Sequence, residues 1–93
     1  MIDADMTDEE IIKDREKKYG PANSCFNTWS QMCELLRAYH KEAGNTNTAH
    51  LYALNMALLK IVRSAWNPSI GDNYKDGRNY ITIAKDASEV KHD

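Results

Sequence analysis

Apolar residues recur along the chain at helical spacing, in four segments divided by glycine and proline. The clearest is the second, about Cys25 to Glu42, where Phe26, Trp29, Cys33 and Leu36 stand at i, i+3, i+7 and i+10. That spacing is one face of a 3.6-residue period, and Met32, Leu35 and Tyr39 widen it beyond a coiled-coil seam. Asn23 or Ser24 is the expected cap, and Gly44 the stop. The third segment, about Ala49 to Trp66, carries a broad stripe of Leu51, Leu54, Leu58, Ile61, Val62 and Ala65, with only Lys60 and Arg63 charged. So apolar a helix is expected at the centre of the fold, with Pro68 closing it.

The outer segments are weaker. The first, about Asp8 to Lys18, opens with the capping-box pattern Thr7-x-x-Glu10. Acids lie at its start and Lys17 and Lys18 at its end, which suits the helix dipole. Gly20-Pro21 ends it. The fourth runs from Asp72 or Asn73 to about Ala87, capped by Asn73, with Tyr80, Ile83, Ala84 and Ala87 on its buried face. Gly77 inside it implies a close helix contact or a ligand. A strand over Tyr80–Ala84 is the alternative, but it would have no partner. The first six residues and the tail from Ser88 are expected to fray.

These segments predict one all-α domain over residues 1–93, ordered over about 7–87: a four-helix, bundle-like fold with the third helix central. Ninety-three residues allow no second domain. The apolar width of the second helix exceeds what one neighbour covers, so a homodimer or higher oligomer through the second and third helices is expected.

Charge narrows the partners. Twelve basic and fourteen acidic side chains leave a net charge of −2, which disfavours DNA. No apolar run approaches the ~20 residues that cross a bilayer, and the acidic start is unlike a secretory leader, so a cytoplasmic location is expected. Cys25 and Cys33, eight apart on one helix, are too far apart for a disulfide and read as buried small hydrophobes. No catalytic set involving Ser, His or Cys is suggested by spacing, and His50 reads as a capping or packing residue.

What remains is a polar constellation. Arg15 and Tyr19 close the first helix. Lys60 and Arg63 lie one turn apart on the third. Asp72, Asp76, Asn79 and Tyr80 punctuate the fourth. Carboxylates at i, i+4, such as Asp72 and Asp76, can hold a divalent cation; the alternative is an ion-pair network locking the last two helices. The loop from Asn67 to Gly71 is short enough to bring Lys60 and Arg63 near those acids. Lys60, with a flexible side chain and no i+4 acid, is the expected ligand contact and Asp76 the structural one.

The order R-x-x-x-YG, a Trp in the second helix, MALLKIVR in the third and DNYKDGRNY in the fourth resembles a family of small, uncharacterised phage and prophage proteins classed as a domain of unknown function. The likeness covers about Ile11 to Ala87. The layout is more distantly similar to the all-α MazG-type nucleoside-triphosphate pyrophosphohydrolases and to a phage domain associated with nucleotide modification. The MazG-type enzymes bind magnesium through E-x-x-E and E-x-x-D pairs. Here Asp72 and Asp76 are four apart, the third helix has no acid, and Glu34 and Glu42 are eight apart; in the phage family the third helix often opens with an acid, where this chain has Thr48-Ala49-His50. The resemblance implies an all-α fold and a link to nucleotides. The expected function is therefore a phage-type accessory protein in the host cytoplasm. It would bind a host protein or a small nucleotide without catalysis or a cofactor, through Arg15, Tyr19, Lys60, Arg63, Asn79 and Tyr80. The alternative is a magnesium-dependent nucleotide pyrophosphohydrolase using Asp72 and Asp76.

Overall fold

The computed structural model describes residues 6–89, which form four α-helices and no strand: α1 (Asp8–Tyr19), α2 (Ala22–Glu42), α3 (Thr48–Trp66) and α4 (Gly71–Ser88). The frayed ends expected from the sequence fall mostly outside these residues. Local chemistry explains the boundaries. Thr7 caps α1, its hydroxyl accepting from the Glu10 amide at 3.2 Å, and Gly20 at φ 81° turns the chain out of the helix. α2 starts three residues earlier than the periodicity implied. Pro21 stands at its N-cap with no side-chain cap, and Asn23 and Ser24 lie inside the helix. A proline nitrogen has no hydrogen to satisfy, so the helix can begin directly after the turn.

α3 is capped by Asn47, whose Oδ1 accepts from the His50 amide at 3.0 Å. The same side chain donates through Nδ2 to the Ala87 carbonyl at 2.9 Å, fastening the start of α3 to the end of α4. α4 also begins early. Ile70 occupies its N-cap position, and Asn73, expected as the cap, is buried within the first turn. Burial against α3 outweighs its capping preference. Tyr80–Ala84, the alternative strand, is helical, and its alternation leaves Ile81 and Ile83 exposed while Ala84 is buried.

α3 is the spine: α1, α2 and α4 all pack on it. The α3–α4 pairing is the most extensive, and small residues make it possible. Ala53, Ala57 and Ala84 are buried there, and a Cβ on Gly77 would lie 3.5 Å from that of Lys60. Neither α1 nor α2 approaches α4, so the chain is an open array around α3, elongated to 51 × 22 × 22 Å. Its core is thin. Cys25, Ala53, Ala57, Leu59 and Ala84 are its buried apolar residues, and no large side chain among the described residues is fully enclosed. Cys25 is buried as expected; Cys33 is half-buried, and both thiols are free. Among the described residues no helix is long and apolar enough to cross a membrane.

Candidate functional site

The polar constellation expected from the sequence divides into two places. Lys60 does meet the fourth helix: its Nζ lies 3.4 Å from Asp76 Oδ2, with the Lys60 side chain largely buried and Asp76 half-exposed. Asp72 and Asn79 are exposed on α4 and Tyr80 is half-buried. No group of three or more His, Cys, Asp or Glu placed to hold a metal occurs among the described residues.

Arg63 goes elsewhere. It crosses to α1, where its guanidinium carbon stands 4.6 Å from the centre of the Tyr19 ring. Arg15, one turn earlier on α1, reaches the same ring at 5.8 Å. Both lie within the range of a cation–π contact. The Pro21 turn brings Phe26 alongside, and these side chains with Ile12 and Glu16 line a cavity of about 210 Å3. Arg63 is half-buried, and its Nε is enclosed without a hydrogen-bond partner. No carboxylate of the described residues comes within ion-pair distance of Arg15 or Arg63. Guanidinium remains charged at any physiological pH. Two cations thus stand against one aromatic ring in a cavity that Glu16 also lines.

Tyr19, Gly20 and Cys25 also border a second, apolar cavity of about 370 Å3 that reaches Met32, Ile61 and Trp66. Gly20 holds this junction together. A Cβ built on it would stand 2.7 Å from the Trp66 indole, so only glycine lets the α1–α2 turn lie against the end of α3.

Two polar links were missed by sequence reasoning. His40 is buried at the end of α2, and its Nε2 lies 3.1 Å from His50 Nδ1. The ring centroids are 5.3 Å apart and nearly parallel, so the imidazoles meet edge to edge through a shared hydrogen bond. The short turn before Asn47 could have signalled this, because it sets the end of α2 beside the start of α3. Trp29 Nε1 donates to the Asn55 carbonyl at 2.6 Å, joining α2 to α3. Trp29 was visible only as a member of an apolar face.

On the remote flank of α2, burial and then the charge of Glu34 hold the Cys33 thiol above its ordinary range. Hydrogen bonding and the charge of Arg37 depress the Glu34 carboxyl.

No curated protein and no solved structure matches the chain. The family profile of DUF6378, a domain of unknown function, matches residues 5–88. The chain is therefore a member of the DUF6378 family.

Proposed function

We propose that this chain is a small, non-enzymatic accessory protein of phage type that acts as a homo-oligomer by binding a small nucleotide, with the phosphate held between Arg15 and Arg63. One observation carries the reading: Arg15 and Arg63 line one cavity, and neither lies within ion-pair distance of a carboxylate of the described residues. Two guanidinium groups without a counter-charge favour a ligand oxyanion, which would supply it. Tyr19 and Phe26 at the same cavity give a base or sugar an apolar surface. The phage context rests on the sequence resemblance, which covers most of the chain.

Arg63 and Tyr19 contribute by position, Arg15 by charge. Lys60, already paired to Asp76, contributes to the α3–α4 contact. A thermal-shift series with nucleoside mono-, di- and triphosphates, with and without magnesium, tests the proposal. A nucleotide at about 100 times its dissociation constant should add ~2.7 kcal/mol to stability. Arg63→Gln should remove that gain while the apo-protein stays helical. Binding undiminished in Arg63→Gln would remove this site. Binding that requires magnesium and fails in Asp76→Asn would favour the pyrophosphohydrolase reading. Response to none of the nucleotides would shift the reading to a host protein.

A further inference from the structure

A groove of about 490 Å3 runs between α3 and α4 and shares no lining residue with the Arg15–Arg63 cavity. Its walls are largely apolar, with Ile61 from α3 and Tyr74 and Ile81 from α4. Its polar groups carry one bias. The hydroxyl protons are spent on backbone: Ser64 donates to the Ile61 carbonyl at 2.7 Å, Thr82 to that of Arg78 at 3.1 Å and Tyr74 to that of Pro68 at 2.8 Å. The remaining donors are nitrogens, on Lys60, Arg78 and Asn73, and no carboxylate among the described residues lines the groove. Asp76 offsets Lys60 at 3.4 Å. Arg78 is exposed, with no carboxylate of the described residues within ion-pair distance. Asn73 is only 4% exposed, and its Nδ2 has no hydrogen-bond partner among the described residues. Gly77 also lines the groove. A Cβ there would stand 3.5 Å from that of Lys60, an ordinary contact, so helix packing does not demand glycine, and its missing side chain leaves the groove wider.

We infer that this groove binds a small aryl monocarboxylate, its head group on Arg78 and its apolar body against Tyr74, Ile61 and Ile81. A mostly apolar concavity with a few placed polar groups is the usual form of a small-molecule site. Unspent donors without a lining acid call for an acceptor on the ligand. The Lys60–Asp76 pair leaves one guanidinium as the uncompensated charge of the lining. A guanidinium matches one carboxylate, which it takes through two parallel N–H···O bonds. A phosphate monoester brings close to two charges at neutral pH, more than this lining balances. The ring of Tyr74, fixed through its hydroxyl to the Pro68 carbonyl, offers the aryl body a flat apolar partner. The ligand and the groove are separate from the nucleotide and cavity of the proposed function, and neither assignment depends on the other.

Titration of the full 15N-labelled chain with 2-naphthoate, 2-naphthamide and 2-naphthyl phosphate tests the inference. 2-Naphthoate should give saturable shifts of the Gly77, Arg78 and Ile81 amides and of the Asn73 side-chain amide, within millimolar concentration. 2-Naphthamide, the same body without the charge, should bind about 10- to 100-fold more weakly, as loss of a charge-assisted hydrogen bond implies. Arg78→Gln should weaken 2-naphthoate by a similar factor. Arg78 is exposed on α4, so this variant should keep the helical circular dichroism of the wild type. The absence of saturable shifts at millimolar 2-naphthoate overturns the inference. So does an amide that binds as tightly as the acid, a phosphate that binds more tightly, or 2-naphthoate binding unchanged in Arg78→Gln. Shifts centred on Arg15, Tyr19 and Arg63 would put the carboxylate in the other cavity and overturn it as well.

Discussion

Replacing Gly20 by alanine probes the junction that borders both Tyr19 cavities. Gly20 has φ 81° and ψ 172°, a region that is essentially restricted to glycine and costs other residues ~1–3 kcal/mol. The added methyl would also stand 2.7 Å from Trp66 Cδ2 and 3.0 Å from Cε3. Trp66 is 57% exposed, so the indole can swing away, at the expense of its packing over the turn. Strain and lost packing together come to about 2–4 kcal/mol. For a domain of this length each kcal/mol lowers Tm by roughly 4–8 °C, so Gly20→Ala should melt about 10–25 °C lower. Gly44→Ala is the control. Its φ is 84°, but nothing lies within 4 Å of a Cβ there, so only the backbone cost of ~1–2 kcal/mol applies. Thermal denaturation followed by circular dichroism compares the two, and Trp fluorescence reports whether the indole has moved. Equal melting of Gly20→Ala and Gly44→Ala would refute the close approach of Trp66.

Other positions give independent checks. Asn47→Ala removes the α3 cap and the bond to the Ala87 carbonyl; it should cost about 2–3 kcal/mol by urea denaturation, and a loss below about 0.5 kcal/mol would contradict the double role. Gly77→Ala places a methyl at ordinary contact distance from Lys60 Cβ and should stabilise by about 0.5–1 kcal/mol through helix propensity; clear destabilisation would mean the α3–α4 contact has no room. The folded state raises the Cys33 thiol above its usual 9.0. The native chain therefore holds this proton more tightly than the unfolded chain. That contribution to stability is complete below pH 9 and is lost as pH rises through the folded value. Urea midpoints should fall above pH 9 in wild type and fall less in Cys33→Ala; parallel curves would exclude Cys33 as the source.

The sequence made the helices legible because spacing and punctuation agree: Thr7, Gly20-Pro21, Gly44 and Pro68 all fall at element ends. Boundaries failed where a local preference yielded to packing, as at Asn73, a good cap by type that is buried against α3. The candidate site was half legible. Arg15, Tyr19 and Arg63 could be singled out by charge and ring, but spacing along α3 tied Arg63 to Lys60 and hence to the acids of α4. In three dimensions Arg63 reaches α1 while Lys60 reaches Asp76. Helical spacing specifies which residues share a side of one helix; which neighbour covers that side depends on crossing geometry absent from periodicity. The His40–His50 bond was missed for a related reason: neither histidine belongs to an apolar repeat, and only the short turn between α2 and α3 hints at it.

A titration of 15N-labelled protein with a nucleoside monophosphate, followed by amide and Arg side-chain Nε–Hε signals, tests the proposed oxyanion site most directly. The largest shifts should fall on Arg15, Tyr19, Gly20 and Arg63, with the Arg63 Nε–Hε signal moving as its guanidinium pairs with the phosphate. Arg63→Gln should abolish them while the remaining spectrum is unchanged. Shifts centred on Lys60, Asp72 and Asp76, with the Arg63 Nε–Hε signal unmoved at saturation, would contradict the assignment of the site.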